Sequence, residues 1–539
     1  MKRMNSNLTV LMAQINPTVG ALQLNTEKII NIIHEHQSMH DVIVFPELAI
    51  SGYPTEDLLF RKEYLEQVNK QLRLIQAAAQ ECFIIVGHPL WHDDACYNSL
   101  SVFYNGQQIK EYHKQKLPNY GVFDDVRYFK PGEKNPCILE IRDHKLGLCI
   151  CEDQWQTGPV QDLIHEGITS LISINASPFD YNKLDRREDI LTSYAKQGIS
   201  IIYVNQIGGQ DDILFDGQSM AIDKQGKIAA IAPAFEESLS TVIINKESIT
   251  GSIAPQLPQI PLIYKALVCG TRDYVLKNNF PGVIIGLSGG IDSALTLAIA
   301  VDAFGPEYVH AVMMPSRYTA SMSNEDALKQ IESLHVQHSS ISIEPVFNSM
   351  IESLKASFAN KDPDTTEENI QARIRGMLLM ALSNKTGKMV LTTSNKSETA
   401  VGYATLYGDM AGGFAVLKDV LKTQVYELAK YRNQLSPIIP ERVLTRAPSA
   451  ELKPNQTDQD SLPDYAVLDA IISGYMENNL SPDELISQGF SSQDVKKVVQ
   501  LIQRNEYKRR QAAPGIKISS LAFGKDWRYP ITNGFKVHE

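Results

Sequence analysis

Residues 288–293 read Ser-Gly-Gly-Ile-Asp-Ser and join two apolar segments of different character. The run 283–287 predicts a short buried strand, and 294–301 predicts a helix that ends before Gly305. Two glycines at such a turn leave backbone N–H groups open to an anion, and the helix N-terminus adds a positive dipole. Because Asp292 would repel a bare phosphate, its presence indicates a Mg²⁺ ion between carboxylate and phosphate. The loop therefore predicts a nucleotide site in an α/β fold.

This loop differs from the two commonest nucleotide-binding loops. It lacks the Gly-Lys-Ser/Thr ending of the P-loop and the Gly-x-Gly-x-x-Gly spacing of the dinucleotide fingerprint. A Gly-Gly turn with a purely structural role is the alternative. The pattern Ser-Gly-Gly-x-Asp-Ser resembles the pyrophosphate-binding loop of the ATP-pyrophosphatase family. That resemblance implies an enzyme that adenylates a carboxylate or carbonyl oxygen and then admits a nitrogen or sulfur nucleophile.

The length and composition of the chain narrow its class. A chain of 539 residues predicts about two to four domains. The net charge of −11 argues against a nucleic-acid or anionic-membrane partner. The N-terminus does not resemble a signal peptide, and no apolar run reaches about 18 residues. Six scattered cysteines do not form a disulfide framework, so we expect a reducing, cytoplasmic location.

The chain divides into two predicted α/β domains. In residues 1–245, strand-like apolar runs alternate with helical stretches, including an amphipathic helix near 62–80. Residues 246–263 are predicted to form a linker, because three prolines fall within 253–261. Residues 264–539 form the second domain and contain the glycine-rich loop.

Three chemically reactive residues lie at or just beyond predicted strand ends in the first domain: Glu47, Lys114 and Cys151. A thiolate nucleophile needs a base that removes its proton and a cation that stabilises the oxyanion of acyl transfer. Glutamate, lysine and cysteine can fill these roles if they converge in space. Taken singly, each also fits an ordinary role, since a cysteine after a strand is commonly a small buried apolar residue.

The order Phe-Pro-Glu, Lys-x-x-Leu-Pro and Gly-x-x-x-Cys-Glu-Asp resembles the nitrilase superfamily over about residues 8–245. The resemblance implies an αββα sandwich in which Cys151 is the nucleophile, Glu47 the general base and Lys114 the oxyanion stabiliser. Cys149 has the wrong spacing from Gly147, so we assign it to the core.

Three further segments resemble the glutamine-hydrolysing branch of that superfamily: 51–54, 117–121 and 175–179. This resemblance places Tyr120, Ser177 and Lys183 on bound glutamine. Asp125 stands where the superfamily often has a glutamate near the catalytic lysine, and its shorter side chain leaves its role open.

In the second domain, a helix is predicted to begin near Thr365, which has capping-box spacing to Glu368. Asn369, Arg373 and Gly376 would then share one helical face. This face is either a ligand-binding surface or a solvated basic surface.

Residues 390–398 predict a strand that runs into a polar turn, where open α/β sheets place ligand groups. Glu398 is a second acidic residue able to meet Mg²⁺ with Asp292, and Thr393 could contact adenosine. Lys422, after a glycine-rich turn, opens a predicted helix and could meet phosphate. The alternative for the polar turn of residues 393–396 is a plain loop or helix cap.

With the C-terminal segments 515–519 and 529–535, these stretches resemble the glutamine-dependent NAD synthetase family over essentially the whole chain. The second domain is then a Rossmann-like ATP-pyrophosphatase domain with a parallel sheet. The family pattern implies that ATP is held by Gly286, Leu287, Ser288, Gly289, Gly290, Ile291, Asp292, Ser293, Thr393 and Lys422. It implies that Mg²⁺ is held by Asp292 and Glu398, and that deamido-NAD is contacted by Asn369, Glu398 and Lys508. Ammonia-using relatives often have His-Lys where this chain has Tyr507-Lys508, so the role of Tyr507 stays open.

The resemblance implies an ATP-dependent ligase that takes ammonia from glutamine and amidates deamido-NAD, most often as a homo-oligomer. Ammonia would need an enclosed passage, because protonation in bulk water removes its nucleophilicity. One alternative is an amidotransferase that acts on another carboxylate, such as a purine-type substrate. The other is a nucleotide-sensing scaffold with a decayed glutaminase, although all three catalytic residue types are present.

Overall fold

The computed structural model describes residues 7–359, 361–454, 456–460 and 462–535. The chain forms two compact units, Met1–Leu257 (unit 1) and Pro258–Glu539 (unit 2). Among the helices of the described residues, none is long and apolar enough to cross a membrane.

Unit 1 is built mainly from β-strands. Its strands are β1 Leu8–Gln14, β2 Val42–Val44, β3 Phe83–His92, β4 Ala95–Tyr104, β5 Gln107–His113, β6 Cys137–Ile141, β7 His144–Ile150, β8 Ser170–Asn175, β9 Ser200–Asn205, β10 Ile207–Gln210, β11 Ile213–Asp216, β12 Met220–Ile222, β13 Ile228–Ile231, β14 Ser238–Ile244 and β15 Ile249–Thr250. Its α-helices are α1 Leu22–His36, α2 Lys62–Ala78, α3 Asp125–Tyr128, α4 Pro159–His165 and α5 Lys183–Ala195. Short 3₁₀ turns cover Glu56–Phe60 and Cys151–Gln154.

Two sheets face each other in unit 1, in the strand orders β15-β14-β1-β2-β3-β4-β5 and β13-β12-β9-β8-β7-β6. A core that includes Val10, Val44, Leu148 and Ile174 fills the space between them. Helices α1 and α2 cover the outer face of the first sheet, and α4 and α5 cover that of the second. The layers therefore form the αββα sandwich that the sequence predicts, and Cys149 lies in the outer core of the second sheet.

Unit 2 has a parallel sheet surrounded by helices. Its strands are β16 Val283–Gly286, β17 Val309–Met313, β18 Gln337–Ser340, β19 Met389–Thr392 and β20 Phe414–Ala415, in the order β18-β17-β16-β19-β20. Its α-helices are α6 Gln259–Lys277, α7 Ile291–Phe304, α8 Ser321–Leu334, α9 Glu344–Phe358, α10 Thr365–Thr386, α11 Lys396–Val401, α12 Lys422–Leu435, α13 Glu441–Thr445, α14 Tyr465–Ile472, α15 Pro482–Ser487, α16 Ser492–Arg504 and α17 Glu506–Arg509. The parallel α/β class predicted for this domain is confirmed.

Two local predictions differ from the structure. The N-cap of α10 is Asp364, not Thr365: its side chain accepts from Thr366 N, and Glu367 accepts from Asp364 N at 2.8 Å. Aspartate is at least as good an N-cap as threonine, so the capping box forms one residue earlier. Part of the segment 246–263 is regular structure, since it contains β15 and the start of α6.

Candidate active sites

In unit 1, the predicted nucleophile, base and oxyanion stabiliser are all buried. Glu47 follows β2, Lys114 follows β5 and Cys151 follows β7, with exposed fractions of 1%, 1% and 5%. Lys114 Nζ donates to Glu47 Oε1 at 2.8 Å and to Asp125 Oδ2 at 2.9 Å. Asn98 Nδ2 also donates to Glu47 Oε1, at 2.7 Å. These contacts hold the carboxylate and the ammonium in fixed positions.

The charges around Cys151 decide its resting state. Burial and the Glu47 carboxylate raise the pKa of the Cys151 thiol well above its usual value, and Lys114 opposes this effect. Burial alone would lower the pKa of Lys114, but Asp125 and Glu47 raise it well above its usual value. These shifts favour the neutral thiol at Cys151 and the ammonium form of Lys114.

Asp125 has a defined place in this cluster. Its Oδ1 accepts a hydrogen bond from the Tyr53 hydroxyl at 2.9 Å, while its Oδ2 accepts from Lys114 Nζ. The shorter aspartate side chain thus still reaches the lysine. Lys114 Nζ is therefore held by two carboxyl groups, those of Glu47 and Asp125.

The backbone at the nucleophile is strained. Cys151 has a φ of 43°, in the left-handed region that favours glycine. Asp153 stabilises this turn by accepting from Ile150 N at 3.1 Å and from Tyr112 Oη at 2.8 Å. The chain thus turns at the predicted nucleophile, directly after β7.

The three residues predicted to bind glutamine lie on separate segments of unit 1. The Tyr120 side chain donates to Glu152, the neighbour of the nucleophile, at 3.1 Å. Lys183 Nζ lies 4.2 Å from the centre of the Trp155 ring. Ser177 is buried, and its hydroxyl accepts from Arg187 Nε at 3.3 Å.

The pKa of Lys183 is lower than that of an ordinary lysine. Burial, with the charges of Arg187 and Arg186, lowers its pKa to about 8, and the nearby Cys151 thiolate would raise it. An incoming carboxylate would favour the ammonium form, as expected for a residue that binds the main chain of an amino acid.

In unit 2, one cavity of about 620 Å³ collects every residue predicted to bind ATP or deamido-NAD. Its walls include the whole segment 286–293 together with Thr393, Lys422, Asn369, Glu398 and Lys508. These residues come from the C-terminal edge of the parallel sheet and from helices packed beside it, where open α/β sheets place their ligands.

The glycine-rich loop is held by its own serines and by a close backbone approach. Ser288 N and Gly290 N donate to Ser293 Oγ and Ser288 Oγ, both at 3.2 Å. Gly289 has a φ of 81°, and a Cβ there would overlap the Ser323 carbonyl. Gly290 is the N-cap of α7, so the loop ends at a helix N-terminus.

A lysine joins the two predicted metal ligands. Lys422 Nζ donates to Asp292 Oδ2 at 2.6 Å and to Glu398 Oε1 at 3.1 Å. The sequence predicted that this lysine meets phosphate, whereas its ammonium here lies on the carboxylates. Burial raises the pKa of Glu398 to about 7, with Lys422 opposing the shift and Asp292 adding to it.

This donor set fits a hard cation. Two carboxylates share a single ammonium, and carboxylate oxygens are the ligands that Mg²⁺ prefers. Within the described residues, no group of three or more His, Cys, Asp or Glu could hold a metal, so phosphate and water would have to complete the coordination.

The predicted face of α10 contacts the segment 405–408, although Arg373 itself is exposed. Asn369 Oδ1 accepts from Thr405 Oγ1 at 2.7 Å, and Arg373 Nε donates to the Leu406 carbonyl at 3.2 Å. A Cβ on Gly376 would lie 2.7 Å from the Gly408 carbonyl, so glycine permits this close packing.

Lys508 contacts the chain just before Thr405. Its ammonium donates to the carbonyls of Gly402 and Ala404 at 2.9 and 2.8 Å, and burial lowers its pKa. Tyr507 points elsewhere and is 43% exposed, outside the cavity wall.

Sequence reasoning missed several residues of these sites. Asn98 lies within β4 and carries no local signal. Asn395 contacts both metal-ligand candidates, donating to Asp292 Oδ1 at 2.9 Å and accepting from Glu398 N at 2.9 Å. Its Asn-x-x-Glu spacing is a helix-start signal that could have identified it.

The chain matches two protein families, one over each of its two units. Residues 9–253 match the carbon-nitrogen hydrolase family, and residues 263–512 match the NAD synthase family. A hydrolase domain with a buried Cys-Glu-Lys set, joined to an NAD synthase domain, defines an ATP-dependent carbon–nitrogen ligase with its own glutaminase.

Full-length relatives identify the family. The glutamine-dependent NAD(+) synthetase of Acinetobacter baylyi is 47% identical over 534 residues, covering 98% of each chain. That of Xylella fastidiosa is 44% identical over 544 residues, covering 99% of this chain and 100% of its own. The Acinetobacter baumannii synthetase, solved with adenosine diphosphate, has a TM-score of 0.80 and 45% identity, with 99% and 100% coverage. The chain belongs to the glutamine-dependent NAD(+) synthetase family.

Proposed function

We propose that unit 1 hydrolyses glutamine and that unit 2 uses the ammonia to amidate deamido-NAD, with ATP as the activating substrate. The observation that carries this proposal is the separation of the two residue sets. Glu47, Lys114 and Cys151 lie together in unit 1, while the loop 286–293 and Glu398 line the cavity of unit 2.

In the first half-reaction, the Cys151 thiol transfers its proton to Glu47 as sulfur attacks the side-chain carbonyl of glutamine. The Lys114 ammonium stabilises the tetrahedral oxyanion. Glu47 returns the proton to the departing ammonia, which leaves a glutamyl thioester. Water, deprotonated by Glu47, then releases glutamate and restores the thiol.

In the second half-reaction, the nicotinate carboxylate attacks the α-phosphorus of ATP and pyrophosphate leaves. Ammonia then attacks the acyl carbon of the mixed anhydride, and AMP leaves as NAD forms. Adenylation is needed because a bare carboxylate is a poor acceptor for ammonia. The N-terminus of α7 lines the cavity and is placed to bind the phosphate charge, whereas Ser288 N and Gly290 N donate within the loop itself. Mg²⁺, held by Asp292 and Glu398, would neutralise part of the triphosphate charge.

We also propose a cytoplasmic homo-oligomer. The cysteines Cys82, Cys96, Cys137, Cys149, Cys151 and Cys269 are free and buried, which suits a reducing compartment. The homo-oligomer follows only from the family resemblance.

The test is product identification by mass spectrometry after incubation with Mg²⁺, ATP, glutamine and deamido-NAD. We expect NAD, AMP, pyrophosphate and glutamate in equal amounts. Pyrophosphate release with xanthylate, and none with deamido-NAD, would favour the purine-type alternative. Nucleotide binding without turnover would favour the sensing scaffold.

A further inference from the structure

Arg375 is a cavity-lining cation for which no sequence motif predicts a role. It lies on α10, and its Nε donates to the Met314 carbonyl at 3.1 Å. Strands β16 and β17 pair in parallel with Gly286 opposite Val312, so Ser288 and Met314 each lie two residues beyond that pair. The guanidinium is therefore anchored at the sheet edge where the glycine-rich loop begins.

The other cations in the cavity wall are already engaged. Lys422 pairs with Asp292 and Glu398, Arg446 pairs with Glu451, and Lys453 lies 3.6 Å from Glu368. Lys508 donates to two backbone carbonyls.

Arg375 differs from all of these. Among the described residues it forms no ion pair, and its single hydrogen bond uses Nε. Both terminal nitrogens are left without a protein acceptor in that part of the chain. Arginine stays protonated in proteins, so this half-buried charge is held in a cavity without a neutralising partner. Burial lowers its pKa, and only the Glu451 charge opposes that shift.

The two terminal nitrogens of Arg375 indicate which kind of ligand the residue would bind. A guanidinium offers two parallel N–H donors that match two oxygens of a phosphate. The N-terminus of α7 already favours phosphate at this edge. Lys508, which donates to the Gly402 and Ala404 carbonyls, is the cation that the family resemblance predicts for the dinucleotide.

We propose that Arg375 binds the phosphate chain of ATP, through the terminal nitrogens that its bond to Met314 leaves free. This inference rests on the proposed function, because it takes ATP to be the ligand of the loop. Arg375 would help to bind the triphosphate before the α-phosphorus is attacked.

The test is calorimetric titration of the full-length protein with Mg²⁺ and α,β-methylene-ATP, and separately with adenosine. In Arg375→Gln we expect the methylene analogue to bind about tenfold weaker or more, as for the loss of a charge-assisted pair. Adenosine should bind within twofold of the wild type. Arg375→Lys should recover part of the affinity, and Lys385→Gln, an exposed charge change on the same helix, should change neither ligand.

Three results would overturn the proposal. An equal loss for adenosine would mean that Arg375 only maintains the shape of the pocket. Unchanged binding of the analogue would exclude a phosphate contact. Weakened binding of deamido-NAD, titrated in the same way, with unchanged binding of the analogue would assign Arg375 to the dinucleotide. Because binding is measured directly, a wild-type protein that binds the analogue but forms no NAD would count against the proposed function and leave this inference standing.

Discussion

At the scale of single residues, both sites use one lysine shared by two carboxylates. Lys114 lies between Glu47 and Asp125, and Lys422 lies between Asp292 and Glu398. A shared ammonium opposes the burial that raises the pKa of Asp125 and of Glu398, and so favours the ionised form of both acids. In unit 1 the pair lies beside the predicted nucleophile, and in unit 2 it includes the two predicted metal ligands.

The assignment of Cys151 is tested by Cys151→Ala. We expect glutamine-driven NAD formation to fall by about 10³-fold or more, because no thioester can form. Ammonia-driven formation should stay within twofold, since its residues lie in unit 2. Cys149→Ala, two residues away and buried in the core, is the matched control and should retain glutamine use. Retention of glutamine-driven activity by Cys151→Ala would refute the nucleophile assignment.

The lowered pKa of Lys183 predicts a pH effect on glutamine binding. With a pKa of about 8, Lys183 is charged below pH 8 and loses its charge above it. If the ammonium binds the glutamine carboxylate, the KM for glutamine should rise up to about tenfold between pH 7 and pH 9.

Lys183→Arg keeps the charge throughout this range and should flatten that rise. The titration of glutamine itself is common to both proteins, so the ratio of their KM values isolates the side chain. The measurement is glutamate release. Parallel pH profiles for the two proteins would remove Lys183 from the carboxylate site.

At the scale of elements, the start of α11 is tied to the glycine-rich loop by one side chain. Asn395 caps α11 by accepting from Glu398 N and also donates to Asp292. One amide therefore fixes the distance between the two acidic residues that the cavity presents.

Asn395→Asp should separate these two contacts. Aspartate caps a helix as well as asparagine does, so we expect a change of only a few degrees in Tm. Its carboxylate cannot donate to Asp292 and repels it, so kcat for ammonia-driven synthesis should fall by about tenfold or more. Asp364→Asn, the reciprocal change at the exposed N-cap of α10, should leave kcat unchanged. Equal kcat values in both variants would show that the contact with Asp292 is dispensable.

Elements with a strong local signal could be predicted from the sequence. The apolar runs of β2, β8 and β9 are buried on both sides, and the amphipathic α2 covers a sheet. The hydrophobic pattern of the sequence is therefore enough to predict these elements. The cap of α10 was misplaced by one residue because adjacent Asp and Thr both fit the pattern.

The long-range contacts that build the two sites were harder to predict from the sequence. Motifs identified the residues that do chemistry, since their types and order are specific. The residues that hold them, such as Asn98 and Asn395, lie 51 positions from Glu47 and 103 from Asp292, so only the folded chain brings each pair together. Sequence periodicity carries no information about such contacts.

At the scale of the whole molecule, each unit contains a complete set of predicted residues and its own core. We therefore expect residues 258–539, produced alone, to form NAD from ammonia with a KM for ATP within about threefold of the full chain, and to make none from glutamine. Circular dichroism checks that the fragment is folded. A folded fragment without ammonia-driven activity would mean that the cavity of unit 2 is incomplete by itself.

The left-handed backbone at Cys151 sets stability against reactivity at a single position. Glycine adopts this conformation more readily than any residue with a Cβ, and a side chain there costs about 1 kcal/mol or more. Stability alone therefore favours glycine at position 151, whereas the proposed thioester chemistry requires cysteine.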